Sequence, residues 1–281
     1  MFSIITPTYN RGHLLLNLYH LISSQNFEKW EWIIIDDGSK DNTEEIINKL
    51  IKIDNRIKYF QQNNQGASAA RNKGVVLSSK EWIVYVDSDD KIDYDFLSKI
   101  KENISKNSLV KFGIINHFRK IVLIDKNGKI ISEREPFLIT KEEATLKDYF
   151  HWKIKTTSTG LFHQKVLFND NLKWDENLKL LEDWELLLQL GRVFPESFLH
   201  ILEPGLTYIQ TYGGDGLCSS ANYNNWAIAF KYIYEKHQND LLMAGQKWYP
   251  NRFEKYTRLQ ILVDEGVEPS AIYKYFPEKA S

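Results

Sequence analysis

Along the first hundred residues, short apolar runs alternate with amphipathic stretches. "FSIIT" (2–6) is a continuous apolar run of strand length, and the segment after it places Leu14, Leu15, Leu18, Leu21 and Ile22 at helical spacing. "WEWIIID" predicts a second strand, after which Asp41 or Asn42 can cap a helix whose Ile46, Ile47, Leu50 and Ile51 share one stripe. "RIKYF" predicts a third strand, "GASAARNKGVVLSS" a helix whose small residues permit close packing, and "EWIVYV" a fourth strand. Strands separated by helices of this length imply right-handed crossovers and a mainly parallel α/β sheet covered on both faces.

Beyond residue 100 the pattern changes. A further helix is predicted near 95–105, and then "SLVKFGIIN" and "KIVLID" flank the hairpin signal "KNGK", in which Asn127 and Gly128 suit a type I′ turn. Thr140 and Glu143 form a capping box for "TKEEATLKDYF", and "LLEDWELLLQLG" is apolar with a helical period. From about residue 221 the chain reads as helical, with breaks at Pro250 and Pro269. These shifts suggest three regions: 1–105 and 106–220 as two halves of one domain, and 221–281 as a helical C-terminal extension.

Composition narrows the class. With 281 residues, 43% of them hydrophobic and 14% aromatic, the chain can bury a large core. Its 36 basic and 37 acidic side chains leave a net charge of -1, so no basic field advertises nucleic acid. A single cysteine, Cys218, excludes an intramolecular disulfide framework and a multi-cysteine metal site. The opening "MFSIITPTYNRG" lacks the pattern of a secretory signal, and there is no apolar run of about 18 residues, so a cytoplasmic location is expected.

The candidate chemistry lies where the first, second and fourth strands end, at "TPTYNR", "DDGS" and "DSDD". In open parallel sheets ligands bind outside the carboxyl ends of the strands, so these three sets should line one crevice. Carboxylates brought together repel unless a cation or donors neutralise them. Hard oxygen ligands such as Asp87 and Asp89 suit Mn2+ or Mg2+ that also holds the phosphates of a substrate. Asp90, Asp93 and Asp95 read instead as solvated or helix-capping charges.

"SIITPTYNR", "WIIIDDGSKDNT", "NNQGASAARNKG" and "IVYVDSDD", in this order and at these intervals, resemble the nucleotide-binding half of glycosyltransferase family 2, inverting enzymes of the GT-A type with a Rossmann-like sheet. The resemblance continues more loosely through "WDENLKLLEDWELLLQLG" and fades after about residue 215. It implies that Pro7, Tyr9 and Arg11 wrap the base and ribose of a nucleotide diphosphate sugar, usually a uridine one. Asp37 would accept a hydrogen bond from the base and Arg71 would stand near the phosphates. Asp87 and Ser88 would meet the donor, with Asp89, aided by Asp87, ligating the metal. Asp183 is implied as the general base that deprotonates the acceptor hydroxyl, with Glu182 orienting the acceptor.

Other features add detail to that picture. The family's late histidine has no counterpart in "YIQTYGGDGLCSS", where Tyr212 or Asp215 could substitute and Gly213, Gly214 and Gly216 give freedom. Hydroxyls at Thr156 to Thr159 and the nearby Trp152, Trp174 and Trp184 fall where the family builds its pocket for a glycan or lipid-linked glycan acceptor. "GQKWYPNRFEKYTR" mixes basic and aromatic residues and suits anionic lipid at the inner face of the membrane, a second subunit, or packing on the catalytic domain. His117, His151, His163 and His200 lack ligand spacing and read as structural or exposed. Two other readings compete with the transferase. A nucleotidyltransferase would want a glycine-rich basic first loop, which "TPTYNRGH" does not supply, and a silent binding module would have no need for Asp37, Asp89 and Asp183 together.

Overall fold

The computed structural model describes residues 1–115, 118–124, 127, 129–134, 157–169, 171–201, 205–211, 223–243, 257, 260, 261, 264 and 265. The chain divides into two compact units, Met1–Tyr212 and Gly213–Ser281.

In the first unit, β1 (Phe2–Thr8), α1 (Gly12–Ser23), β2 (Trp30–Asp36), α2 (Thr43–Ile51), β3 (Ile57–Gln61), α3 (Ala67–Leu77) and β4 (Trp82–Tyr85) follow the predicted alternation. Then come β5 (Lys91–Ile92), α4 (Phe96–Lys106), β6 (Phe112–Ile114), β7 (Phe118–Ile124), β8 (Ile130–Arg134), β9 (Leu161–Gln164), α5 (Glu182–Val193), β10 (Phe198–His200) and β11 (Leu206–Thr211). A 7-stranded sheet has the order β10-β6-β9-β4-β1-β2-β3. Its pairs are parallel except where β9 meets β4 and β6. A 4-stranded sheet has the order β5-β11-β7-β8.

Strand alternation sorts the core onto two faces. Phe2, Ile4, Trp32, Ile34 and Val84 pack with Leu15, Leu18 and Ile22 of α1, Ile47 and Leu50 of α2, and Phe96 and Ile100 of α4. Ile5, Ile33, Ile35, Ile83 and Tyr85 pack with Ala70 and Val75 of α3 and Leu186, Leu187 and Leu190 of α5. Burial on both faces explains why β2 reads as an unbroken apolar run. The small residues of α3 serve close approach, since a Cβ on Gly74 would come within 2.5 Å of the Ile5 side chain.

One local expectation is corrected, and another is narrowed to one of its two candidates. The hairpin around Asn127 joins β7 to β8, antiparallel, whereas the "FGI" of the predicted flank forms β6 and joins the large sheet between β9 and β10. Asn42 occupies the N-cap of α2 without a side-chain bond; Asp41 does the capping, accepting the Thr43 N–H at 3.0 Å and the Gly12 N–H at 3.1 Å. One carboxylate thus ties together the starts of α1 and α2. The Thr140 capping box, Trp152, Thr156, Tyr212, Asp215 and Cys218 lie outside the described residues.

In the second unit α6 (Tyr223–Met243) buries Ala227, Phe230, Ile233 and His237. Within that unit the Asn224 N–H donates to Gln260 Oε1 at 3.3 Å, and Gln260 Nε2 donates to Asp264 at 2.9 Å. Among the described residues, no helix is long and apolar enough to cross a membrane.

Candidate active site

The strand order reverses at β1: the chain steps outward to β2 and β3, then crosses back to pair β4 on the other side. In open α/β sheets the loops leaving such a strand and its two neighbours diverge, and the ligand crevice lies there. The loops are bonded to one another. The Asp37 N–H donates to Thr8 O at 2.8 Å, the Asn10 N–H to Ser39 Oγ at 2.8 Å, and the Lys40 N–H to Asn10 Oδ1 at 2.7 Å. Arg11, at the N-cap of α1, forms an ion pair with Asp89 in the loop after β4. The three polar sets singled out in the sequence therefore meet at one rim.

Asp36 and Asp37 divide the work at the end of β2. Asp36 is fully buried and accepts the Ser39 N–H and the Tyr59 hydroxyl, each at 2.8 Å, which fixes the turn. Burial, and then that bond to Asp36, raises the Tyr59 pKa and keeps its phenol protonated. Gly38 follows at φ +85, a left-handed conformation that glycine adopts without a Cβ penalty. The Asp37 carboxylate accepts from Gln62 Nε2 at 2.8 Å and from the backbone N–H groups of Gln65 and Gly66 at 2.8 and 2.7 Å. It thereby moors the loop that leads into α3. A carboxylate offers about four acceptor positions, and these bonds take up three of them. Nearby, Pro7 pairs with Ile35 inside the sheet, and Tyr9 is 44% exposed at the rim, so Tyr9 is not part of the core.

The acidic loop after β4 is held from below. Arg71 is only 3% exposed, and its Nη2 donates to both carboxylate oxygens of Asp87, at 2.9 and 3.1 Å. Its Nη1 donates to Glu182 at 3.3 Å, and its guanidinium lies 4.5 Å over the Trp174 ring. Burial alone would loosen the arginine's proton, but the pull of Asp87, then of Glu182 and Asp183, outweighs it and the pKa is raised. Arg71 is therefore the buried counter-ion of the acidic loop. Its neighbour Asn72 bonds Trp174 N and O at 3.0 and 2.9 Å and Glu176 at 2.8 Å, pinning the chain's second half to α3.

Two hydroxyls of the run expected in an acceptor pocket, those of Ser158 and Thr159, bond this loop. Ser158 donates to the Asp87 carboxylate, and the fully buried Thr159 hydroxyl accepts the Asp87 N–H at 2.8 Å and bonds Asp90. Gly160 makes the approach possible: it has φ +93, and a Cβ there would lie 2.1 Å from Ile115 O. The only sequence signal for these roles was hydroxyls preceding a glycine and a strand; their partner lies some 70 positions earlier in the chain.

Asp90 is half-buried, and burial, then the charges of Asp89 and Asp87, raise its pKa well above the ordinary carboxylate value. Asp95 does lie beside α4, where it pairs with Lys99 at 2.8 Å. Ser88 is buried between Asp87 and Asp89. The Asp89 side chain is 45% exposed, the carboxylate of this loop that faces outward.

A hard cation suits this donor set. Three crowded carboxylates, one with its proton held more tightly, would be relieved by added positive charge. Among the described residues, no group of three or more His, Cys, Asp or Glu side chains is arranged to hold a metal ion by itself. An ion here would bind through one or two carboxylates and complete its shell from a substrate.

Glu182 and Asp183 open α5 directly after Leu181, whose φ of +66 is a left-handed conformation that bulky residues rarely adopt. That turn aims both acids toward the Arg71 cluster, and they also complement the positive end of the helix dipole. Asp183 accepts the Trp184 N–H at 2.7 Å. Trp174 and Trp184 are fully buried core residues. His163 is structural: one ring nitrogen bonds Gln164 O and the other the Tyr85 hydroxyl, each at 2.8 Å, and burial lowers its pKa to about 4.

The chain is similar to known proteins in sequence and in fold. The profile of Glycosyl transferase family 2 matches residues 3–168, more than half of the chain. The chain is 26% identical over 265 residues to the GalNAc(5)-diNAcBac-PP-undecaprenol beta-1,3-glucosyltransferase of Campylobacter jejuni, covering 92% of this chain and 80% of that one. Among solved structures, S. aureus TarS 1-349 in complex with UDP-GlcNAc aligns with a TM-score of 0.68 at 21% identity, over 96% of this chain and 77% of that one. The mannosyltransferase PcManGT from Pyrobaculum calidifontis, in complex with GDP-Man and Mn2+, aligns with a TM-score of 0.62 at 14% identity, over 98% and 81%. With its wound sheet, its acidic loops and this profile match, the chain belongs to glycosyl transferase family 2 and is a glycosyltransferase of the GT-A fold.

Proposed function

We propose that this protein carries out metal-dependent, inverting transfer of a sugar from a nucleotide diphosphate sugar, UDP-linked, to a hydroxyl of a glycan or glycolipid. The observation that carries the reading is the meeting of the donor loops and the acceptor helix on one buried cation: Arg71 holds Asp87 on one side and Glu182 on the other. Asp37 keeps one acceptor position for the imide N–H of a base, beside the exposed Tyr9 ring, while Arg11 and Ser88 line the donor side of the crevice. Asp89, with Asp87 behind it, is the protein's ligand for Mn2+ or Mg2+. A divalent cation there would supply Lewis-acid stabilisation of the charge gathering on the departing diphosphate.

The chain's own residues do the rest. Asp183 takes the proton from the acceptor oxygen as that oxygen attacks the anomeric carbon opposite the diphosphate. Glu182, fixed by Arg71, orients the acceptor. Residues 1–105 serve the donor, 106–220 the acceptor, and 221–281 form a C-terminal extension. The Campylobacter relative is named for an acceptor linked through a diphosphate to undecaprenol, which supports a lipid-linked glycan as acceptor in bacterial surface polysaccharide or lipooligosaccharide synthesis.

The test is a panel of UDP-, GDP- and other nucleotide sugars incubated with the protein and Mn2+, with and without chelator, while nucleoside diphosphate release is followed. Release from a UDP-sugar that stops on chelation is the expected result. Chelator-insensitive release would remove the metal, preference for a GDP-sugar would change the donor, and pyrophosphate exchange would point to nucleotidyl transfer.

A further inference from the structure

We infer that Arg11 is a placeholder counter-ion that Asp89 exchanges for the donor's cation, so that cation and diphosphate bind as a coupled pair; the inference rests on the donor reading above. The crevice contains two Arg–Asp pairs of different character. Arg71–Asp87 is the more enclosed, with side chains 3% and 23% exposed, the carboxylate also bonded by Ser158 and the Asp87 backbone N–H held by the Thr159 hydroxyl. Arg11–Asp89 joins loops 78 residues apart, and its side chains are 21% and 45% exposed. The first pair is a fixed strut, and the second stands at the mouth and can open.

Electrostatics then sets the behaviour of the mouth. A cation arriving alone meets an Asp89 already neutralised by Arg11, and a diphosphate arriving alone meets the negative Asp89 beside Arg11. Arriving together, the diphosphate takes over the guanidinium and the cation takes over the carboxylate, so neither charge is left unpaired. Each ligand lowers the cost of binding the other, and that linkage is reciprocal.

The test is binding of Mn2+ alone, read from the electron paramagnetic resonance signal of the free ion, with no nucleotide present. Arg11→Gln should bind Mn2+ about threefold to fivefold more tightly than the unaltered protein, the worth of an exposed ion pair. Lys91→Gln, which removes a positive charge two residues from Asp89, should gain clearly less, and Arg11→Lys should stay near the unaltered protein. Adding Asp89→Asn to Arg11→Gln should abolish the gain. If Asp89→Asn weakens Mn2+ binding but Arg11→Gln gains no more than Lys91→Gln, the exchange is refuted while the metal site stands. If Asp89→Asn leaves Mn2+ binding unchanged in both backgrounds, the metal reading falls and takes the exchange with it.

Discussion

Arg71 grips both carboxylate oxygens of Asp87 through one guanidinium nitrogen, at 2.9 and 3.1 Å, from a position that is 3% exposed. Since Glu182 and Asp183 bear on the same guanidinium, removing it leaves several carboxylates facing one another without a counter-ion. Breaking a buried pair from one side costs about 3–5 kcal/mol, so Arg71→Met should lower the melting temperature by several degrees and abolish transfer. Arg71→Lys keeps the charge but cannot fork between Asp87 and Glu182, and should fold better than Arg71→Met while transferring poorly. Denaturant melts beside nucleoside diphosphate release would check both.

At the opposite end of the sheet, Glu31 is fixed by Ser3 at 2.5 Å, Lys58 at 2.7 Å and Ser79 at 2.6 and 2.8 Å. Burial pushes its pKa up, but the bonds from Lys58, Ser3 and Ser79 outweigh that and leave it at about 2, below the ordinary 4.5. A depressed folded value means the stabilisation is complete above pH 4.5 and is lost as pH falls toward 2. After allowance for solvent screening, Glu31 should contribute about 1–2 kcal/mol near neutrality. The stability gap between the unaltered protein and Glu31→Gln should therefore shrink steadily between pH 5 and pH 2.5 in urea titrations, to the extent the protein stays folded. A gap independent of pH would contradict this assignment.

Asp37 has a structural duty as well as its proposed one. Asp37→Ala strands the N–H groups of Gln65 and Gly66, at a cost of about 1–3 kcal/mol. Nucleotide affinity should fall further than stability alone explains, because the base loses its acceptor too. Titration with UDP in Mn2+, beside a thermal melt, separates the two effects: affinity unchanged in a folded Asp37→Ala would remove it from the base site.

The sheet from β1 to β4 was legible because each element announces itself within a dozen residues. The apolar run of Phe2 to Thr6, the Leu15–Leu18–Ile22 stripe and the small residues around Gly74 need no distant partner to be recognised. β6 and β9 were harder, since β9 slots antiparallel between β4 and β6 and nothing local to "FGI" or "LFHQ" specifies that pairing. In the site, the acidic cluster could be read from the sequence, but the partner of each carboxylate could not. Asp89 meets Arg11 from 78 residues away, and Ser158 reaches Asp87 across 71. Such pairs are set by the convergence of loops at one sheet edge, which spacing along the chain does not encode.

The central claim is that the head of α5 handles the acceptor's proton while the other loops hold the donor. Its most direct test is the steady-state release of UDP from a UDP-sugar by Asp183→Asn in Mn2+. Loss of a general base should lower kcat by about 10²–10⁴-fold while the donor KM stays within about twofold. A kcat within about threefold of the unaltered protein would contradict the account, because the proton would then be leaving by another route.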